Sequence, residues 1–285
     1  MPTLAYRVVD VFTDRAFAGN PLAVVLDADE LTTEQLQSLA REFNLSETAF
    51  PIAPSATGED GADYRVRIFT PVQEMPFAGH PSIGTAWTLA DLQRIPTGPV
   101  RQECGVGILP IEVDGEGATL TGGTPSAGEP VDPAPLLAAV RLHADDLAAV
   151  PPRVTSTGLP WAFLPVRREA LTRVAPDFVA IGRVPAAGVA VVAWDADAGA
   201  AQARVFANDG YEDPATGSAG LALGAYLAAS GLVPDGTTTY RVSQGTEIGR
   251  PSTLDGTVTA SGGRAERVTV RGGVSPVATG EIRIP

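Results

Sequence analysis

The segment RVFANDGYEDPATGSAGLALGAYLAASGL, residues 204–232, has a near match earlier in the chain in RIFTPVQEMPFAGHPSIGTAWTLADL, residues 67–92. Each segment begins with Arg, a branched apolar residue and Phe. A short turn, a Glu-x-Pro-x-x-Gly motif and an apolar stretch follow. Glu74 matches Glu212 at an offset of 138 positions, which is 212 minus 74. Agreement at this many positions indicates an internal repeat.

An internal repeat of this length predicts two related halves, residues 1–125 and 126–285. The boundary is placed in TGGTPSAGEPVDPAP, residues 121–135, because a high Gly and Pro content is typical of a connection. A simpler interpretation stays open, in which both segments are unrelated Pro- and Gly-rich turns before helices.

Each motif is followed by a stretch that is apolar on nearly all sides, IGTAWTLADL in the first half and AGLALGAYLAA in the second. Such helices belong in the interior of a protein. Another helix, amphipathic, is predicted over residues 33–43, where Thr32 and Gln35 form a capping-box pattern and Asn44 ends the helix. Strands and helices do not alternate regularly, so the fold class is predicted to be α+β with mixed sheets. The predicted strands are 5–12, 22–26, 48–53, 63–69, 108–113, 161–166, 188–194, 203–207, 256–261 and 267–271.

The composition excludes several classes of function. The chain has 285 residues and a net charge of −13, which repels phosphate backbones, so nucleic acid is not an expected partner. Neither a leader peptide nor a membrane-spanning stretch is evident, so we expect a cytoplasmic protein without a membrane partner. The single cysteine, Cys104, rules out an internal disulfide and a thiolate metal cluster. With only His80 and His143 besides, no metal site is expected.

The beginnings of the two apolar helices predict an anion site. The first N–H groups of a helix lack partners, and the helix dipole adds about half a positive charge there. The backbone and side chains of Gly79, His80, Gly217 and Ser218 would then bind a small carboxylate, with Ser218 as the N-cap of its helix. The alternative is that a capping residue satisfies each helix by itself and nothing binds.

Acidic residues near these helices are candidates for acid/base chemistry. Asp213 lies one turn before the second helix, and His80 lies at the start of the first. Glu47, in FNLSETAF, follows the amphipathic helix and by itself would more often be a solvated residue. Glu212, which matches Glu74, is interpreted as a brace for its turn.

Several segments together resemble the PhzF family of phenazine-biosynthesis-type isomerases. They are VVDVFTDRAFAGNPLAVVLDA, REFNLSETAF, RIFT and MPFAGHPSIGTAW, EDPATGSAGLALGAYL and VSQGTEIGRPS. The resemblance runs from residue 8 to residue 252. It implies the fold of diaminopimelate epimerase, in which two pseudo-symmetric halves each curl a mixed β-sheet around a central buried helix, with the active site in the cleft between them. The central helices would lie near 81–92 and 218–230, with the last strand free to return to the N-terminal half.

The resemblance also implies roles for individual residues. Glu47 would be the general acid/base of an isomerase that needs neither a metal nor an organic cofactor. Asp213 and His80 would line the site and orient the substrate or polarise a developing enol. Asn20 of AGNP resembles a polar residue near the site of epimerase-fold enzymes. The substrate carboxylate would be held by Gly79, Gly217 and Ser218. The family further implies a homodimer and a small-molecule carboxylate as substrate.

The chemistry requires a desolvated base, because a carbon acid beside a carboxylate is weak and the pKa of its base has to rise toward neutrality. A second carboxylate nearby, Asp213, would raise that pKa further or stay protonated as a donor. The turn FANDGYEDPATGS departs from many relatives at Asn208 and Asp209 and is expected to shape substrate choice. Neither turn contains a Cys, which excludes the two-thiol mechanism of diaminopimelate epimerase.

Three functional hypotheses follow. The first is an isomerase that moves a proton between carbons of a small, cyclic, unsaturated amino or hydroxy acid. The second is an amino-acid epimerase or racemase that uses Glu47 with Asp213 or His80 instead of thiols. The third is a catalytically silent metabolite-binding relative, against which the presence of a proton-carrying glutamate argues.

Overall fold

A computed structural model describes residues 2–56, 58 and 61–285 of the chain. These residues form two compact units. One contains the described residues up to Thr121 together with Arg271–Pro285, and the other contains Gly122–Val270. The chain therefore returns to the first unit at its end.

In the first unit, strands of both orientations surround one buried helix. The elements are β1 (Thr3–Val11), β2 (Asn20–Val25), α1 (Thr33–Phe43), β3 (Glu47–Ile52), β4 (Tyr64–Phe69), β5 (Glu74–Met75), α2 (Gly79–Asp91), β6 (Gly98–Cys104), β7 (Gly107–Val113) and β8 (Gly117–Thr121). β2 runs parallel to β3, β4 runs parallel to β6, and the other neighbouring strands are antiparallel. Helix α2 packs against β1, β2, β3, β7 and β8.

The second unit has the same plan around a buried helix of its own. The elements of this unit are β9 (Ser126–Pro130), α3 (Pro133–Val140), β10 (Arg153–Ser156), β11 (Pro160–Pro165), α4 (Phe178–Ile181), β12 (Gly188–Asp195), β13 (Ala200–Ala207), β14 (Glu212–Asp213), α5 (Gly217–Ala229), β15 (Gly236–Gln244), β16 (Ser252–Ser261) and β17 (Arg264–Arg283). Helix α5 packs against β9, β10, β11 and β16. The last strand, β17, begins in this unit and continues into the first.

Strand pairing repeats between the units. The parallel pair of β2 and β3 corresponds to that of β11 and β12, and the parallel pair of β4 and β6 corresponds to that of β13 and β15. In each unit a two-residue strand, β5 or β14, turns back on the preceding strand immediately before the buried helix. The predicted α+β class, with two pseudo-symmetric halves each curled around a central helix, is confirmed.

Helix α1 begins and ends where its sequence predicts. The Thr32 side chain accepts a hydrogen bond from the Gln35 N–H, and the Gln35 side chain accepts one from the Thr32 N–H. Asn44 ends the helix in the left-handed conformation, with φ 50°. Asn tolerates this conformation better than most residues. The chain then enters β3 at Glu47.

The stretch predicted as a connection, residues 121–135, contains β9 and the first turn of α3. Pro133 stands at the start of that helix, where its missing N–H costs nothing, and the Asp132 side chain caps the helix. A high Pro content therefore marks a helix start here as well as a turn. Of the helices formed by the described residues, none combines the length and apolar character that crossing a membrane requires.

Candidate active site

Glu47 is the first residue of β3, and it pairs in parallel register with Leu22 on β2. Its side chain is only 12% exposed. The alternative in which Glu47 is a solvated residue after a helix is therefore wrong. Burial at the start of the strand restricts the Glu47 carboxyl to one position, as an acid/base group requires.

His80 brings an imidazole to this carboxyl. It is the second residue of α2 and is 4% exposed, and its Nε2 lies 3.6 Å from Glu47 Oε2. Burial lowers the pKa of His80 to about 3, although a hydrogen bond to the backbone of Pro21 opposes the shift. The imidazole is thus neutral near pH 7, and the contact with Glu47 is not a salt bridge despite its ion-pair distance.

The tautomer of His80 follows from its partners. Proline has a backbone carbonyl but no N–H, so an imidazole N–H of His80 donates a hydrogen bond to the Pro21 carbonyl oxygen. Within the described residues Nε2 has no hydrogen-bond partner, which leaves Nδ1 as the donor. Nε2 therefore presents a lone pair toward Glu47. In this tautomer Nε2 can accept a hydrogen bond but cannot donate one. It therefore could not polarise a developing enol by donating a hydrogen bond to the enol oxygen.

Asn20 directly precedes Pro21, whose carbonyl accepts the hydrogen bond from His80. It is the first residue of β2, is fully buried, and accepts a hydrogen bond from Ser46 Oγ at 3.0 Å. Gly19 before it has φ 65°, and a Cβ there would lie 2.3 Å from the Val11 carbonyl oxygen. Only glycine fits this turn, which places Asn20 and Pro21 at the start of the strand.

The two helix starts lack side-chain caps. Ala78 is the N-cap of α2, which begins at Gly79, and Thr216 is the N-cap of α5, which begins at Gly217. Neither residue caps its helix with a side chain. The alternative in which each helix is satisfied by its own capping side chain is therefore not supported.

Ser218 is not the N-cap that the sequence predicts. It is the second residue of α5, because the helix begins one residue earlier, at Gly217. Its hydroxyl accepts a hydrogen bond from Trp161 Nε1 at 3.0 Å. The indole on β11 therefore fixes the Ser218 side chain at the start of the helix.

Asp213 ends β14 and is 8% exposed. Its Oδ2 accepts a hydrogen bond from Thr216 Oγ1 at 2.6 Å, and its backbone carbonyl accepts one from Gln244 Nε2 at 2.7 Å. The sequence analysis did not single out Thr216 or Gln244. Both lie within the segments that carry the family resemblance, EDPATGS and VSQGTEIGRPS.

The repeated glutamates brace their turns, as predicted for Glu212. Arg204 donates to Glu212 through Nε and Nη2 at 2.9 and 2.7 Å. Arg67 donates to Glu74 through the same two atoms, both at 2.7 Å. Each arginine also lies over the phenylalanine two positions later in its strand.

Comparison with known sequences identifies the family to which these features belong. The profile of the family described as phenazine biosynthesis-like protein, PhzC-PhzF, matches residues 9–280. The chain belongs to the PhzF family. It is 35% identical over 291 residues to trans-2,3-dihydro-3-hydroxyanthranilate isomerase of Pseudomonas aeruginosa, with 96% of this chain and 98% of that protein covered. This PhzF-family protein is an isomerase.

Solved structures agree with the family assignment. The PhzF-family phenazine biosynthesis protein of Bacillus anthracis matches all of this chain and all of its own, with 27% identity and a TM-score of 0.87. A probable proline racemase of Agrobacterium radiobacter, at 16% identity, covers 99% of this chain and 94% of its own with a TM-score of 0.70. The second similarity shows the fold alone, and it confirms an epimerase-like architecture for this PhzF-family protein.

The two units of this PhzF-family protein differ at the positions of the candidate site residues. Strand register places Met75 in the first unit where Asp213 stands in the second, and Gly188 in the second where Glu47 stands in the first. A Cβ at Gly188 would lie 2.1 Å from the Phe206 carbonyl oxygen and 2.9 Å from Trp161, so no larger side chain fits there. Of the candidate site residues, Glu47 and His80 therefore lie in one unit, and Asp213 and Ser218 lie in the other.

A second repeated motif escaped the sequence analysis. Gly19-Asn20-Pro21 at the start of β2 corresponds to Gly158-Leu159-Pro160 at the start of β11. The Pro21 carbonyl accepts from His80, whereas the Pro160 carbonyl accepts from the N–H of Ala187. In neither unit do the described residues bring together three His, Cys, Asp or Glu side chains that could hold a metal ion.

Proposed function

We propose that this protein moves a proton between two carbons of a small, cyclic, unsaturated amino or hydroxy carboxylic acid. Glu47 would be the general acid/base, and the reaction would use no cofactor. The observation that carries the proposal is the position of the Glu47 carboxyl, which is largely buried, with its Oε2 3.6 Å from Nε2 of a buried, neutral His80.

The neutral imidazole suits a carboxyl that has to take and return a proton. A cationic histidine at this distance would stabilise the carboxylate and weaken it as a base. A neutral one leaves Glu47 basic, and its Nε2 lone pair can accept a hydrogen bond from the protonated form. His80 therefore favours the intermediate in which Glu47 holds the substrate proton.

The proposed step balances without an oxidant or a reductant. The ionised Glu47 removes a proton from a substrate carbon, and the electron pair of the broken C–H bond spreads through the conjugated system to the substrate carboxylate. The protonated Glu47 then gives the same proton to a vinylogous carbon, where the new C–H bond forms. The glutamate ends ionised, ready for another turnover.

We assign the other site residues to substrate binding. Gly79 and Gly217 begin helices whose N-cap side chains make no capping hydrogen bond. The backbone N–H groups of such a first turn stabilise a bound anion. Ser218, held by Trp161, adds a hydroxyl. Asp213 and Asn20 are buried polar groups suited to an amino or hydroxyl group of the substrate. The small-molecule partner and the homodimer expected from the resemblance stay predictions.

The proposal is tested by incubating candidate acids in deuterated buffer and following them by NMR. The panel is trans-2,3-dihydro-3-hydroxyanthranilate, the compound in the name of the Pseudomonas relative, together with cyclic imino acids and diamino acids. A product with a shifted double bond supports the isomerase. Exchange at one carbon with inversion supports the epimerase instead. Thermal stabilisation without exchange at any carbon supports a silent binding protein.

A further inference from the structure

Three polar groups of the second unit form a hydrogen-bonded chain that ends on Asp213. Gln244 Nε2 donates to Thr216 Oγ1 at 3.0 Å, and Thr216 Oγ1 donates to Asp213 Oδ2 at 2.6 Å. Gln244 is 2% exposed, Thr216 6% and Asp213 8%, so the chain is shielded from water. Buried polar groups of this kind are costly unless each is satisfied.

Two backbone groups, one that can only donate and one that can only accept, determine the direction of each hydrogen bond. The N–H of Thr216 can only donate, and it donates to Gln244 Oε1 at 3.3 Å. The carbonyl of Asp213 can only accept, and it accepts from Gln244 Nε2 at 2.7 Å. The amide of Gln244 therefore has one orientation. Its NH2 group then faces Thr216 Oγ1, which turns the threonine hydrogen toward Asp213.

We infer that Gln244 and Thr216 are positioning residues that hold Asp213 Oδ2 permanently as a hydrogen-bond acceptor. This inference rests on the proposed function, in which Asp213 contacts the substrate. Its consequence is chemical, because a carboxylate or carbonyl oxygen accepts a hydrogen bond better than the O–H oxygen of a carboxylic acid does. The Thr216 hydroxyl therefore disfavours a proton on Oδ2 and holds the Asp213 carboxyl in one orientation.

The first unit shows that the fold itself does not need this chain. Met75, Ala78 and Cys104 stand at the positions of Asp213, Thr216 and Gln244, as the matching strand registers establish. The turn has the same packing in both units. A Cβ at Gly105 would lie 2.7 Å from Pro76, and one at Gly245 would lie 2.5 Å from the Pro214 carbonyl oxygen. The polar chain is therefore an addition specific to the unit that carries Asp213.

Kinetics of five variants on trans-2,3-dihydro-3-hydroxyanthranilate test the inference. Thr216→Val removes the hydroxyl at constant shape and should lower kcat/KM about tenfold, whereas Thr216→Ser keeps the donor and should stay within about threefold of wild type. In an Asp213→Asn background, Thr216→Val should add less than about twofold, because a residue that acts through Asp213 has nothing further to lose. Thr155→Val is the matched control, since Thr155 is equally buried and donates to α5 at Ala222, far along the helix.

A measurement that needs no turnover separates this inference from the proposed function. In protein labelled at threonine, the Thr216 hydroxyl proton should give a downfield NMR signal that exchanges slowly with water. Asp213→Ala and Gln244→Leu should each shift it upfield or speed its exchange. If wild type acts on no acid of the panel, the proposed function fails, and this signal alone decides the inference.

Three results would overturn the inference. One is a wild-type Thr216 hydroxyl signal that neither variant changes. Another is an active enzyme in which Thr216→Val lowers kcat/KM equally in the presence and absence of the Asp213 carboxylate. Loss of activity in Thr155→Val matching that in Thr216→Val would likewise contradict it, because the effect would then follow buried-threonine packing.

Discussion

The imidazole Nε2 of His80 lies 3.6 Å from the carboxyl Oε2 of Glu47, and both side chains are largely buried. In most proteins a histidine and a carboxylate at this distance would form an ion pair. Here burial lowers the pKa of His80 to about 3, so the carboxyl faces a lone pair instead of a cation. This relationship also makes the folded protein sensitive to acid.

The first prediction concerns stability against pH. His80 is neutral when folded, with a pKa of about 3, and protonates near pH 6.5 when unfolded. Below about pH 6.5 the unfolded chain binds a proton at this residue that the folded protein does not bind. The free energy of unfolding is therefore highest above pH 6.5 and falls as the pH is lowered toward 3, where the folded protein binds the proton as well. Between pH 6.5 and pH 5 the free energy of unfolding should fall by about 2 kcal/mol from this group alone. Urea unfolding at several pH values measures the slope.

The control uses the other histidine. His80→Gln should flatten the slope between pH 6.5 and pH 5, whereas His143→Gln, at an exposed position, should keep it. A slope that is the same in His80→Gln and wild type would show that His80 is not the group that protonates on unfolding.

The second prediction compares the two braces. Arg204 is 8% exposed, pairs with Glu212 through two hydrogen bonds, and donates through Nη1 to the carbonyls of Leu171 and Val174. Arg204→Met removes the donors to the buried Glu212 carboxylate and to the Val174 carbonyl, and one of the two donors to the Leu171 carbonyl. It should lower the free energy of unfolding by about 3–5 kcal/mol. Arg67→Met, at the more exposed pair with Glu74, should cost about 1 kcal/mol. Equal losses in urea unfolding would contradict the difference in burial.

The third prediction concerns the glycine that packs on the site turn. Gly245 has φ 79°, and a Cβ there would lie 2.3 Å from the Arg250 carbonyl oxygen and 2.5 Å from that of Pro214. Gly249 has φ 74° with open space around it, so it shares the backbone strain but not the clash. Gly249→Ala should lower the free energy of unfolding by about 1 kcal/mol, and Gly245→Ala by about 3 kcal/mol or more. The same thermal or urea unfolding experiment measures both, and a smaller loss for Gly245→Ala would refute the packing.

Local signals in the sequence predicted some elements closely and missed others. Helix α1 was predictable because its caps and its apolar face are all contained within the helix and its flanking residues. Strands β6 and β15 were missed. β6 buries Gln102, which receives a hydrogen bond from Tyr64 and donates one to Ser82, and these partners come from elsewhere in the chain. A polar residue satisfied by distant partners looks, in sequence alone, like an exposed one.

The same limit applies to the candidate site. The internal repeat was enough to predict Gly79, Gly217 and the bracing glutamates, because the two turns share residue types at matching positions of the sequence. Glu47 needed the family resemblance, since nothing local in the sequence shows that its carboxyl is buried beside His80 of α2. Thr216 and Gln244 were missed because their contribution is the direction of hydrogen bonds between residues 28 positions apart, which a sequence does not display.

The central claim, that Glu47 carries the proton, is tested most directly by turnover, in deuterated buffer, of the panel acid that the protein converts, with the product analysed by NMR. Glu47→Gln should lower kcat by about 100-fold to 10,000-fold while the acid still raises the melting temperature of the variant. Glu42→Gln, an exposed carboxyl on α1, should match wild type. Turnover in Glu47→Gln at the wild-type rate would contradict the assignment of Glu47 as the general acid/base.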